Sequence, residues 1–227
     1  MRVWDFPLRL FHWALSVCIV GAIISAKMGV LWVHERFGLT VLGLIIFRIC
    51  WGFLGGHYAR FRQFILVPQV AFRELNILFR TIPKTDAKSN VDVKVGHDAI
   101  GSYAVMALLG IPLLMAITGT MSSDDVLFEG PLTHLVPDLS NKITSVHHFG
   151  EKLLIIILFL HISAILIYKL KRKRNLTRAM VTGKLDTISE SAVDGSISVN
   201  RTYFGLCLML VSILAAQLVT LLRPALF

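Results

Sequence analysis

The chain has 227 residues, of which 55% are hydrophobic and only 16% are charged. Its mean hydropathy is +0.70, whereas about a quarter of the residues in soluble domains are charged. This composition excludes an ordinary soluble domain, and a large all-α soluble core would not explain such long uncharged runs. The formal net charge of +9 is typical of an orientation signal with some attraction to anionic lipid, so we expect no nucleic-acid partner.

Five stretches are apolar enough to cross a bilayer, which takes about 20 mostly apolar residues. They predict transmembrane helices at residues 10–33, 35–56, 97–121, 147–168 and 202–222. We expect the first to be a retained helix rather than a signal peptide, because it contains His12 and Trp13 and no clear small-residue cleavage site follows. The predicted fold is an all-α integral membrane protein, with a four-helix transmembrane bundle in residues 1–180. We expect residues 181–227 to form a cytoplasmic tether and a fifth transmembrane helix.

The distribution of Lys and Arg predicts the orientation of these helices. Seven such residues lie between the second and third helices, and eight lie between the fourth and fifth. The opposite side has few, at Lys27, Arg36, Lys142 and Arg223. By the positive-inside rule, the N-terminus is cytoplasmic and the C-terminus lies outside. The run KLKRKR at residues 169–174 is typical of a stop-transfer flank.

The connections differ in character. Residues 60–80 mix Arg with Phe, Ile and Leu, which favours an amphipathic segment at the cytoplasmic surface. The outer loop at residues 122–145 carries four carboxylates against one lysine: Asp124, Asp125, Glu129 and Asp138. The three cysteines fall inside predicted helices, so they do not indicate disulfides, and no C-x-x-C-H motif for covalent haem is present.

Histidines interrupt the apolar helices at matching depths. His147 and His161 are fourteen residues apart, about 1400° of helical rotation, so they share one face and lie about 21 Å apart along the axis. His148 lies on nearly the opposite face. His12 matches the depth of His161 near the cytoplasm, and His34 matches that of His147 near the outer surface.

Two imidazoles that face each other across a bundle can ligate a haem iron from both sides. Three alternatives are open for these residues. A single histidine can bond a backbone carbonyl of a neighbouring helix. A zinc site would need further ligands close by, and the two histidine pairs lie too far apart to share one metal. A proton relay would need carboxylates in the middle of the helices, and the sequence has none there.

Four segments resemble the prokaryotic cytochrome b561 family, which includes the b-type cytochrome subunit of nickel–iron hydrogenases. They are RLFHW, HERFGLTVLGLIIFRICWGFLGGHYARF, GHDAIGSYAVMALLGIPLLMAITG and HHFGEKLLIIILFLHI. The resemblance covers about residues 1–180, and the run from Arg48-x-x-Trp51-Gly52 to Ala59-Arg60-Phe61 is its most specific part.

The resemblance implies a bacterial inner-membrane protein that holds two b haems, each bound by two histidines. The ligands would be His12 and His161 for the inner haem, and His34 and His147 for the outer haem. Family members pass electrons between quinones and a periplasmic or membrane-bound redox partner. The chain is then either an electron-transfer protein or a quinone-linked oxidoreductase subunit.

Further residues have two or more interpretations. Arg48 shares a helix face with His34 at the inner depth and would pair with a haem propionate or extend to the inner surface. Arg36 would serve the outer haem or be solvated. His97 would contact a propionate, contact a quinone headgroup or cap its helix. Gly38, one turn after His34, would allow a haem to approach the backbone or serve helix packing.

Three functions are consistent with these features. The first is an electron conduit between the quinone pool and a periplasmic partner such as a basic cytochrome c, which the acidic outer loop would attract. The second is a stand-alone superoxide:quinone oxidoreductase, which the acidic loop disfavours. The third is the membrane anchor and electron-transfer subunit of a hydrogenase-like complex. The fifth helix has no histidine; it would cover the bundle, bind a partner helix or promote oligomerisation.

Overall fold

The computed structural model describes residues 4–63, 99–123, 128–171, 175–184 and 197–224. Five of its helices are long and apolar enough to cross a membrane, which confirms the all-α membrane fold. The helices are α1 (Phe6–Lys27), α2 (Leu31–Leu54), α3 (Ala99–Thr120), α4 (Ser140–Lys171), the short α5 (Leu176–Thr182) and α6 (Val199–Leu218). Most of the predicted surface segment at residues 60–80 lies outside the described residues, as does His97.

The first helix is displaced toward the N-terminus relative to the prediction of residues 10–33. Asp5 caps α1, because its carboxylate accepts the backbone N–H of Leu8 at 2.9 Å, and Pro7 is well suited to a first helical turn. The helix ends at Lys27, and Gly29 adopts a left-handed φ of 71° that turns the chain into α2. As a result, His34 lies one turn inside α2.

The fourth helix is longer than its apolar sequence predicts. α4 has 32 residues, about 48 Å at the helical rise, whereas the predicted span was residues 147–168. Its first turns carry polar residues such as Asn141, Lys142 and Ser145, which a hydropathy criterion excludes. The extra turns begin at Ser140, directly after a 3₁₀ turn at Pro137–Leu139.

The packing is centred on α2. This helix packs against α1, α3 and α6, and α3 in turn packs against α4. Leu44, Ile45, Phe47 and Trp51 on α2 are fully buried. α2 is therefore the structural hub, and α4 joins the bundle chiefly through α3.

The fifth span, α6, packs closely on α2 through glycines. A Cβ placed on Gly43 would lie 2.5 Å from Ile213 Cα and 2.7 Å from Ser212 O. A Cβ on Gly205 would lie 2.8 Å from the Trp51 ring and 2.9 Å from Pro7. Gly43 is nine residues after His34, about 900° of rotation, so it lies on the opposite face of α2. The fifth helix therefore packs behind α2, away from His34.

We predict that Gly43→Ala separates α2 from α6. The added methyl meets backbone atoms that cannot rotate away, so we expect the free energy of unfolding to fall by about 1–3 kcal/mol. Thermal unfolding in detergent measures the change. Gly110→Ala on α3 is the matched control, because a Cβ there has no heavy atom within 4 Å. Equal melting temperatures for the two variants would show that the α2–α6 contact is not tight.

Candidate functional site

The structure brings the four predicted histidines together as two pairs. His12 on α1 faces His161 on α4, with ring centres 6.5 Å apart and ring planes 53° apart. We call these two the inner pair. His34 on α2 faces His147 on α4, with ring centres 6.0 Å apart and planes at 85°. We call these the outer pair.

Backbone carbonyls fix the protonation of the outer pair. His34 Nδ1 lies 2.8 Å from Ala22 O, and His147 Nδ1 lies 3.0 Å from Met115 O. A carbonyl oxygen only accepts, so each Nδ1 carries the hydrogen and donates it. In the neutral ring, Nε2 is then left with its lone pair available to a metal.

The spacing of each pair fits an iron between two imidazoles. Imidazole nitrogen binds a first-row metal at about 2 Å and lies about 1 Å from its own ring centre, so two opposed ligands place their ring centres about 6 Å apart. The ring-centre distances in both pairs, 6.5 Å and 6.0 Å, agree with this value. In the described part of the chain, no group of three or more His, Cys, Asp or Glu side chains could hold a metal ion. A porphyrin supplies the remaining nitrogens itself, so the pairs suit haem better than zinc.

A cavity of about 410 Å³ adjoins the outer pair, lined mainly by apolar side chains of α1, α2, α3 and α4. Its volume falls within the usual range for ligand pockets, about 300–1,000 Å³. Gly38 lines this cavity, and a Cβ there would meet no atom within 4 Å. Gly119, which the sequence analysis missed, makes room for the site, because a Cβ would lie 3.1 Å from His147 Cε1.

At the inner pair, burial leaves a polar atom unsatisfied. His12 Nδ1 is buried and has no hydrogen-bond partner among the described residues. Because an unsatisfied buried polar atom is costly, this position is typical of a functional site rather than of an imidazole that serves helix packing.

Comparison with known proteins decides the family. A model of the family described as prokaryotic cytochrome b561 matches residues 3–183. The chain belongs to the prokaryotic cytochrome b561 family. It resembles the probable Ni/Fe-hydrogenase B-type cytochrome subunit of Azotobacter chroococcum mcd 1, with 24% identity over 217 residues, covering 80% of this chain and 86% of the relative. No solved structure gives a significant match.

Membership in the cytochrome b561 family confirms the resemblance that the four sequence segments indicated. It identifies the chain as a membrane b-type cytochrome that takes part in electron transfer and binds b-type haem. The matched region includes α1 to α4 and ends at residue 183, so α6 lies beyond it.

The structure does not bring Arg36 of this cytochrome to the outer pair. Arg36 is seven residues before Gly43, about 20° short of two turns, so both lie on the α2 face that meets α6. Its Nη1 donates to Gln217 Oε1 at 3.1 Å, and Gln217 Nε2 donates to Arg36 O at 3.1 Å and to Thr40 Oγ1 at 3.0 Å. Arg36 therefore joins α2 to α6.

Arg48 is buried at the inner end of α2. Its acidic neighbour, Asp5, was not predicted from the sequence. The guanidinium carbon lies 4.7 Å from the centre of the Phe61 ring, and only 3% of the residue is exposed. Asp5 is its electrostatic partner. The pairing of Arg48 with a haem propionate stays a prediction.

Asp5 connects the start of α1 to the end of α2. Its carboxylate accepts from Leu8 N and, at 3.2 Å, from Trp51 Nε1. Burial raises the pKa of the Asp5 carboxyl, while these hydrogen bonds and the positive charge of Arg48 act in the opposite direction. No local sequence motif predicts the contact between Asp5 and Trp51, because the two residues are 46 positions apart.

We predict that Asp5→Ala destabilises this cytochrome by more than Asp5→Asn. Alanine loses the helix cap, worth about 1 kcal/mol, the bond from Trp51 and the attraction to Arg48. Asparagine keeps an oxygen that can accept from Leu8 N. Melting temperatures in detergent report the order. Asp138→Ala, at an exposed position in a 3₁₀ turn, is the control, and an equal loss there would contradict a special role for Asp5.

Proposed function

We propose that this cytochrome holds two b haems, one between each histidine pair, and carries electrons across the bacterial inner membrane. The electrons pass between the quinone pool and a periplasmic redox partner such as a cytochrome c. The observation that carries the proposal is the separation of the ring centres in both pairs, 6.5 Å and 6.0 Å. Both agree with about 6 Å for two imidazoles on one iron.

The positions of the pairs support transfer across the membrane. Their α4 members are fourteen residues apart, about 21 Å along the helix, in a hydrocarbon layer of about 30 Å. One pair therefore lies toward each face. Positive residues cluster at the inner end, including Arg9, Arg60, Lys169 and Arg201, which supports a cytoplasmic N-terminus and a periplasmic C-terminus.

Different residues of the chain would bind, orient and make room for the haems. The four imidazoles would bind iron, and the carbonyls of Ala22 and Met115 would keep the outer rings oriented. Gly38 and Gly119 leave room beside the outer pair. Bound in this way, haem supplies a one-electron iron couple whose potential depends on burial, hydrogen bonding and nearby charge.

A second candidate is supported by the similarity to a relative whose name assigns it to a Ni/Fe hydrogenase. In that case the chain would be the membrane anchor and electron-transfer subunit of a hydrogenase-like complex, and electrons would pass from that enzyme to quinone. The two candidates differ in the reductant. Purified hydrogenase with hydrogen should reduce the haems only under the second, whereas quinol and oxidised cytochrome c should turn over under the first.

We predict that His161→Ala lowers the bound haem from two per chain to one. The variant removes one of two iron ligands at the inner pair only. Pyridine haemochrome absorbance against protein concentration gives the ratio. His57→Ala is the matched control, because His57 is an exposed histidine near the same end of the bundle. A colourless wild-type protein, or an unchanged ratio in His161→Ala, would overturn the dihaem proposal.

The partner can be tested through the acidic outer loop. Asp124 and Asp125 lie outside the described residues, but Glu129 and Asp138 of the same loop are exposed. Replacing Asp124 and Asp125 with Asn should slow electron exchange with a basic cytochrome c at low salt, because steering by charge weakens. Stopped-flow rates measured at low and high ionic strength check this. A rate that does not change at low salt would rule out docking at this loop.

A further inference from the structure

The chain that follows α6 reaches the outer site. After a 3₁₀ turn at Val219–Leu222, Arg223 Nη2 lies 3.0 Å and 3.1 Å from the two carboxylate oxygens of Glu35. The same nitrogen donates to Glu129 O at 2.9 Å. Arg223 therefore joins α2, α6 and the outer loop at one point.

Glu35 belongs to the surroundings of the outer pair. It follows His34 in the sequence and lines the same cavity as His34 and His147. Only 11% of its side chain is exposed, compared with 42% for Arg223. Its charge is therefore poorly screened by water, and Arg223 supplies the opposite charge.

Hydrogen bonds hold α6 at the register that this contact needs. Gln217, six residues before Arg223, bonds to Arg36 and Thr40 of α2. The close packing at Gly43 fixes the distance between the same two helices. α6 contains no histidine, and Arg223 gives the chain that follows it a direct contact with Glu35, which lines the outer cavity.

A second ion pair beside the cavity provides a comparison. Lys27 Nζ lies 2.6 Å from Glu151 Oε1, and Glu151 also lines the cavity. These side chains are 65% and 27% exposed, so water and salt screen their charges more strongly than those of Arg223 and Glu35.

We propose that Arg223 is a positioning residue that acts through Glu35 to set the charge beside the outer haem, and hence its reduction potential. This inference rests on the proposed haem at the outer pair. Ferric haem carries one more positive charge than ferrous haem, so an uncompensated carboxylate nearby favours the ferric form. By neutralising Glu35, Arg223 raises the potential of the outer haem, and the fifth helix thereby tunes electron transfer.

The test is a potentiometric titration of the purified full-length protein, followed by haem absorbance. Arg223→Gln should lower the midpoint of the outer haem, and Glu35→Gln should raise it. We expect about a tenfold change in the redox equilibrium for each variant, which is about 59 mV for a one-electron couple. In the double variant Glu35→Gln/Arg223→Gln, the midpoint potential of the outer haem should be close to the wild-type value. Lys27→Gln should shift this midpoint less than Arg223→Gln does. The inner haem should keep its midpoint throughout.

In the titration, the redox transition of the outer haem is the one that is absent in His147→Ala and present in His12→Ala. Opposite shifts in the two single variants, confined to that step, support the proposal, because loss of packing alone would not reverse sign. No shift in a protein with two haems, or equal shifts in both steps, would overturn it and leave the proposed function intact. A wild-type protein without haem at the outer pair would instead contradict the proposed function.

Discussion

The candidate site depends on two pairs of histidines, and in each pair the two imidazoles face each other across a narrow gap in an apolar bundle. α4 packs chiefly on α3, yet its two histidines lie opposite those of α1 and α2. Polar rings in such a setting are costly unless they have partners. Ring centres about 6 Å apart leave room for one metal atom, and the protein provides no third ligand among the described residues. This combination makes a macrocycle with its own equatorial nitrogens the fitting cofactor.

The two histidine pairs differ in the hydrogen bonds that orient their rings. At the outer pair, carbonyls of α1 and α3 accept from Nδ1, and this leaves Nε2 available for a metal before any cofactor arrives. At the inner pair, His12 Nδ1 has no hydrogen-bond partner among the described residues. The outer site is therefore preorganised by the backbone, whereas the inner site depends more on what it binds.

The lengths of the uncharged apolar runs were enough to predict the five spans, and the rise and rotation of a helix were enough to match His147 with His161. Neither criterion predicted the helix ends, because Asp5 and the polar first turns of α4 lie outside the apolar runs. Arg36, two residues after His34, is rotated by about 200° from it, and its contact with Gln217 of α6 could not be predicted from the sequence. Asp5 and Gly119 were missed because their partners, Trp51 and His147, are distant in sequence and only tertiary packing brings them together.

α2 explains why a helix without histidine belongs to this structure. One face of α2 carries His34, and the opposite face carries Gly43, where the backbone of α6 comes into direct contact. A ligand holds its geometry only if the element that carries it is itself supported. The face of α2 with His34 borders a cavity, and α6 supports the opposite face through close backbone packing and the Gln217 hydrogen bonds. The fifth helix thus supports the outer site by packing against the face of α2 opposite His34.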